Sequence, residues 1–238
     1  MSSTQLSSTG FDTSLPGTPQ ACWETLELIP WQPLHRSLIV VAPHPDDETL
    51  GAGGLIHRYA QSHLRITLIS VTDGEAACPE IHDLATLRHS ELRHALRTLS
   101  AERTDIIRLG IPDGRVAEHR TSLADALSSL ASQDSLIVAP FERDGHPDHE
   151  AVGEVARQIA CEQGFSLATY PIWAWHQATP EVFAGRSIAR LSLSAAARAA
   201  KRDALRCYTS QLRERPGGPI VPPHVLAYFD RPYEAFLL

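Results

Sequence analysis

The sequence predicts an α/β fold: a mostly parallel sheet with helices on both faces. Three observations carry that prediction. Short apolar runs alternate with amphipathic helical patterns along most of the chain. The early apolar runs are continuous rather than alternating, as strands buried on both faces should be. Polar clusters follow four successive runs, where the alternation puts the carboxyl ends of strands.

Taken in order, residues 38–41 (Leu-Ile-Val-Val) form the first strand and 49–61 the first helix. Residues 66–71 follow as a strand and 84–99 as a helix. A short strand at 105–109 precedes a helix at 123–131. The fourth strand, 136–139, leads into a helix at 150–163, and a fifth strand covers 167–172. Residues 187–193 read as a further strand and 195–208 as a late helix, before a Pro/Gly-rich loop at 214–223. The first twenty or so residues are rich in Ser, Thr, Gly and Pro. Residues 1–36 are therefore read as a flexible lead-in, and 37–238 as one domain.

Composition narrows the function. A formal charge of −7 argues against general binding to nucleic acid or anionic membranes. The four cysteines, Cys22, Cys78, Cys161 and Cys207, are scattered and form no C-x-x-C pair, so a zinc knuckle is not expected. Reduced thiols in a cytoplasmic protein are the expectation. No signal-peptide pattern and no apolar run of membrane-spanning length is visible. The expected partner is a small molecule. Oligomeric state is open, and a homo-oligomer is compatible with the sequence.

Chemistry concentrates after the first and fourth strands. The first is followed by Pro43-His44-Pro45-Asp46-Asp47-Glu48, the fourth by Asp144-Gly145-His146-Pro147-Asp148-His149. A hydrolytic zinc site usually takes three protein ligands and keeps one position for water. His44 and Asp47, three apart across a strand-to-helix junction, can face one ion, and His149 can complete the set. Asp46 is then free to take a proton from water. His146 can donate to an oxyanion or leaving group, and Asp148 can hydrogen-bond a histidine ring. Either cluster alone could be a polar loop or a helix-start charge pattern; their pairing at equivalent strand ends favours a metal site. The run Gly51-Ala52-Gly53-Gly54 lies inside a helical pattern without nucleotide-loop spacing, and reads as close helix packing. Trp173 and Trp175, with His176, are read as core or as substrate platform.

These motifs resemble the PIG-L/LmbE-like deacetylases, zinc-dependent enzymes that remove an acyl group from an amino sugar or related amide. The resemblance extends to Arg88-His89-Ser90-Glu91, to Pro112-Asp113-Gly114, to Tyr208-Thr209-Ser210-Gln211 and to Glu234-Ala235-Phe236. It implies a Rossmann-like fold and Zn2+ held by His44, Asp47 and His149. It also implies Asp46 as general base, His146 as acid or oxyanion stabiliser with Asp148 as its partner, and Arg88 and Asp113 on sugar hydroxyls. The expected activity is removal of an N-acyl group, foremost N-acetyl, from a glucosamine-type conjugate. The rival expectations are another metal-dependent amidase or phosphoesterase acting on a non-sugar metabolite, and a non-catalytic binding module.

Overall fold

A computed structural model describes residues 17–78, 80–215 and 218–238. Among the described residues, eight strands form one sheet in the order β1-β7-β8-β6-β5-β2-β3-β4. They are β1 (Leu28–Pro30), β2 (Ser37–Ala42), β3 (Arg65–Ser70), β4 (Asp105–Arg108), β5 (Ser135–Pro140), β6 (Ser166–Tyr170), β7 (Ile188–Ser192) and β8 (Tyr233–Leu237). Strands β6-β5-β2-β3-β4 are mutually parallel, and β1 is parallel to β7. Only β8 runs antiparallel, wedged between β6 and β7.

The continuous apolar strands are explained by two separate cores. Leu38, Val40 and Ala42 of β2 pack into one, and Ile39 and Val41 into the other. The first core is covered by α2 (Asp47–Gln61), α3 (Leu84–Thr98) and α7 (Ala195–Leu205). The second is covered by α4 (Arg120–Leu130) and α5 (Pro147–Gln163). Burial on both faces requires both phases of each strand to be apolar, which the sequence shows.

The expected elements are present, with shifted ends. Helices α2 and α5 begin two and three residues earlier than read, because Asp47 and Pro147 are already helical. The late helix stops at Leu205, and a separate turn, α8 (Thr209–Leu212), follows. Strands β1 and β8 were not read, nor were the short helices α1 (Gln20–Trp23), α6 (Ala174–Gln177) and α9 (Pro223–Leu226).

The lead-in boundary needs correction. The sheet begins at Leu28, nine residues before the expected domain start, because β1 pairs with β7 along the far edge. Trp23 is 3% exposed and stacks edge-on against Trp175 at 5.0 Å. The part of the expected lead-in before residue 17 lies outside the described residues.

The glycines of α2 serve packing, as read. A Cβ on Gly51 would come within 2.2 Å of the Tyr170 ring, and one on Gly54 within 2.4 Å of Leu193. Tyr170 also donates from its hydroxyl to the Val41 carbonyl at 2.7 Å, so it ties β6 to the end of β2. The buried Glu234 carboxylate accepts from the Gly54 and Leu55 amides at 2.7 and 2.9 Å and from Lys201 Nζ at 2.7 Å. The closing Glu-Ala-Phe thus straps α2 to α7 and sets where α2, and the residues at its start, sit.

Candidate metal and active site

The chain winds outward from β2 through β3 to β4, then returns to the other side of β2 as β5. The crevice at this reversal, outside the carboxyl ends, is where open α/β sheets bind ligands. The loops after β2 and β5 therefore meet. A cleft there is lined by His44, Asp46, Asp47, Leu50, Ala77, Arg88, Asp113, His146, Trp173, Gln211, Ile220 and Val221.

The start of α2 builds the first half. Asp47 Oδ2 accepts from the His44 amide at 2.9 Å, and the Asp47 amide returns to the His44 carbonyl at 3.2 Å. This reciprocal cap locks the turn. Asp46 sits at φ 137°, a positive value that an L residue adopts only under constraint. Glu48 points inward, away from the cleft. It binds the Tyr208 hydroxyl, Thr49 Oγ1 at 2.5 Å and the Asp46 amide at 3.1 Å.

The start of α5 builds the second half. Pro147 occupies the first helical turn and His146 is the N-cap, its Nδ1 accepting from the Asp148 amide at 3.2 Å. A neutral His146 ring thus carries its hydrogen on Nε2. His149 is fully buried. Its Nδ1 lies 2.8 Å from Asp144 Oδ2, and its Nε2 lies 3.2 Å from Asp47 Oδ2.

His44, Asp47 and His149 each present one ligand atom, all within 4.8 Å of one another. Asp47 Oδ2 is 3.3 Å from His44 Nδ1 and 3.2 Å from His149 Nε2. His149 Nε2 is buried, and its contact with Asp47 lacks hydrogen-bond geometry. Two imidazole nitrogens and a carboxylate oxygen form a donor set that suits zinc. The electrostatics agree. Burial alone would lower His149, but the Asp47 and Asp144 carboxylates raise it to about 9. Burial likewise opposes the charge on His44, and Asp113, Asp148 and Asp47 outweigh it, holding the ring well above its ordinary value. Burial would raise Asp47, but His149 and His44 hold it far below the usual carboxylate range. The site is thus built to stabilise positive charge beside Asp47. The residues present fit a divalent cation.

A second group, His44, His146 and Asp148, also comes within ligand distance. Asp148 is already spent there. Its Oδ2 accepts from the Gly114 amide at 2.8 Å and its Oδ1 from the Val116 amide at 3.1 Å. The first group is therefore the better cation site.

The remaining expected residues are all brought to this crevice, some in other company than read. Asp148 was expected as the carboxylate partner of His146; its carboxylate lies 3.3 Å from His44 Nε2, and its main-chain amide donates to His146 Nδ1. Asp113 lines the cleft, with Oδ1 3.1 Å from His44 Nε2 and Oδ2 accepting from the Ala76 amide at 3.1 Å. Burial opposes its charge, but the His44 contacts and Arg88 lower it to about 2. Arg88 was expected on sugar hydroxyls, yet it is 3% exposed. Its guanidinium donates to the Pro45 and Gly74 carbonyls at 2.7 and 3.1 Å and to Asp46 Oδ1 at 3.3 Å. Its visible work is to hold Asp46. Burial raises Asp46 to about 8, with Asp47 and Glu48 adding and Arg88 and His44 opposing. Burial and the neighbouring His149 and His44 lower His146 to about 2, so its ring is neutral.

Sequence reasoning gave no role to Asp144. Beside His149, it accepts from the Ile172, Trp173 and Ala174 amides at 2.8, 3.1 and 3.1 Å. The only available signal was its place at the head of the second cluster. Trp175 belongs to the core, while Trp173 forms part of the cleft wall.

Residues 39–160 match the family described as PIG-L, GlcNAc-PI de-N-acetylase. An uncharacterized deacetylase of Escherichia coli, YaiS, is 29% identical over 156 residues, covering 62% of this chain and 80% of that one. A 1D-myo-inositol 2-acetamido-2-deoxy-α-D-glucopyranoside deacetylase of Catenulispora acidiphila is 29% identical over 155 residues, with coverage of 52% and 51%. The chain thus spans most of the first relative and about half of the second. Among solved structures, the N,N'-diacetylchitobiose deacetylase of Pyrococcus horikoshii shares the fold, with a TM-score of 0.59 at 21% identity over 76% of this chain and 72% of that one. A family match across half of the chain, spanning both His/Asp clusters, leads to one conclusion: this chain belongs to the PIG-L family.

Proposed function

We propose that the chain is a zinc-dependent hydrolase that removes an N-acyl group, foremost N-acetyl, from a glucosamine-type conjugate. The observation that carries this reading is the convergence of His44, Asp47 and His149 on one point, with the Asp47 carboxylate oxygen between two buried imidazole nitrogens. The N-acetylated sugar substrates named for the two deacetylases above support the substrate class. Scattered, unpaired cysteines and the lack, among the described residues, of any helix long and apolar enough to cross a membrane are in keeping with a cytoplasmic location.

His44, Asp47 and His149 would hold the ion. When bound, zinc supplies a Lewis acid for the acyl carbonyl and for the attacking water. Asp46, kept in place by Arg88 and held as a carboxylate by the charge of a cation beside it, takes the proton from water as its oxygen attacks the carbonyl carbon. The neutral His146 ring, its Nδ1 occupied by the Asp148 amide, donates from Nε2–H to the oxyanion. This favours the oxyanion role of His146 over the acid role. As the C–N bond breaks, the proton gained by Asp46 passes to nitrogen, releasing an amine and a carboxylate. Asp113 and Asp148 orient the His44 ring, and Asp113 also borders the substrate cleft.

Mass spectrometry of a panel of N-acylated sugars, incubated with zinc-loaded protein, tests the reading. Loss of 42 mass units, about that of one acetyl group replaced by hydrogen, is expected for at least one member. No deacylation across the panel, in protein shown by elemental analysis to carry zinc, overturns it.

A further inference from the structure

Gln211 lines the same cleft as His44, Asp46, Asp47 and His146, yet the chemistry above does not use it. It is 1% exposed. Its main chain is committed: the amide donates to the Tyr208 carbonyl at 3.0 Å, and the carbonyl accepts from the Val221 amide at 3.1 Å. Its side-chain Nε2 donates to Ser210 Oγ at 2.7 Å. Its Oε1 is buried and has no hydrogen-bond partner. Native proteins rarely leave such an acceptor unpaired, so the atom asks for an explanation.

The direction of the amide is set from behind. The Glu91 carboxylate accepts from the Ser210 amide at 2.7 Å, from Thr209 Oγ1 at 2.6 Å and from Ser210 Oγ at 2.6 Å. A hydroxyl has one hydrogen, and Ser210 gives it to Glu91. What Ser210 turns towards Gln211 is therefore a lone pair, which only the NH2 end can meet. Turning the amide over would set oxygen against oxygen. The carbonyl oxygen of Gln211 is thus the group left over, and it is an acceptor.

We propose that Gln211 Oε1 is a specificity-determining acceptor for a hydrogen-bond donor of the substrate, either a sugar hydroxyl or the N–H of the scissile amide. The proposal rests on the amino-sugar reading above. A site built around a fixed acceptor discriminates strongly against analogues that lack the donor, because the buried oxygen is then left unpaired. Substrates presenting an ether, an ester oxygen or an alkyl group at that point are selected against.

The test compares wild type with Gln211→Met, which keeps the length and removes the acceptor. Gln211→Ala serves if the methionine variant does not fold. The probes are N-acetylglucosamine, its 3-, 4- and 6-deoxy analogues, and the 2-O-acetyl ester of glucose, which replaces the N–H by oxygen. On N-acetylglucosamine kcat/KM is expected to fall by about 10- to 100-fold, with zinc content and Tm unchanged. That loss should vanish on one probe. Vanishing on a deoxy sugar identifies that hydroxyl as the donor; vanishing on the ester identifies the amide N–H. An unchanged kcat/KM, or the same loss on every probe, overturns the inference while leaving the activity standing. A wild type inert on every sugar amide overturns the functional reading itself, and the inference with it.

Discussion

Asp144 is the residue whose replacement tests the geometry of the proposed metal site most sharply. It is 1% exposed, and its Oδ1 accepts from the Ile172 and Ala174 amides while its Oδ2 faces His149 Nδ1 and the Trp173 amide. Asp144→Ala leaves three buried amides short of an acceptor. At about 1–3 kcal/mol for each orphaned donor, with some recovery by water, the loss is roughly 3–6 kcal/mol. For a chain of this size that lowers Tm by roughly 6–24 °C. Asp144→Asn is subtler. Its oxygen must stay with the Ile172 and Ala174 amides, since turning the group over would set its NH2 against both. The NH2 then replaces Oδ2, leaves the Trp173 amide without its acceptor and donates to His149 Nδ1. That forces the imidazole hydrogen onto Nε2, the atom that should meet the metal. Stability should fall by only about 1–2 kcal/mol, whereas zinc affinity falls by about 10- to 100-fold, the usual scale for an outer-shell partner. Thermal melts of chelator-treated protein and competition titration with a fluorescent zinc indicator read the two effects separately. Wild-type zinc affinity in Asp144→Asn would refute the tautomer argument.

Three further outcomes follow from the same structure. In chelator-treated protein, His149 titrates near 9 when folded against 6.5 as its ordinary value, and Asp46 near 8 against 3.8. Both folded values are raised, so the stability they contribute is present at low pH and is lost as pH rises through about 8 to 9. The urea midpoint should fall between pH 6.5 and 9, and saturating zinc should remove that fall, because the metal binds the deprotonated rings; a midpoint rising with pH in the chelated protein contradicts the assignment. Asp46→Asn should keep zinc bound and cut turnover by about 10²–10⁴-fold, as expected for loss of a general base; full activity would move that role to another carboxylate. Gly51→Ala drives a methyl into the Tyr170 ring, which is pinned by its hydrogen bond to Val41, and should cost about 1–3 kcal/mol in a denaturant melt; an unchanged midpoint would mean that the ring can move aside.

Much of the candidate site could be read from local order in the chain. An apolar strand, a turn and a helix start are short-range features, so the His44–Glu48 and His146–His149 segments announced their place at the carboxyl ends. The periodicity of strands and helices between 37 and 208 was legible for the same reason. What the sequence left undecided depends on contacts between distant segments. Strand β8 slots antiparallel between β6 and β7, and β1 joins the far edge; neither pairing is encoded within a few residues. Arg88 lines the cleft, but its bonds to the Pro45 and Gly74 carbonyls and to Asp46 came only with folding. Asp148 looked like the partner of its neighbour His146, but its carboxylate closes on Gly114, Val116 and His44. Asp144 and Gln211 gained their roles only through three amides after β6 and through Glu91 on α3. By itself, the sequence determined which groups can ligate, donate or accept, and which strand ends carry them. The tertiary structure decided which of those groups meet, because a hydrogen bond acts over about 3 Å, a distance that sequence spacing does not fix between segments a hundred residues apart.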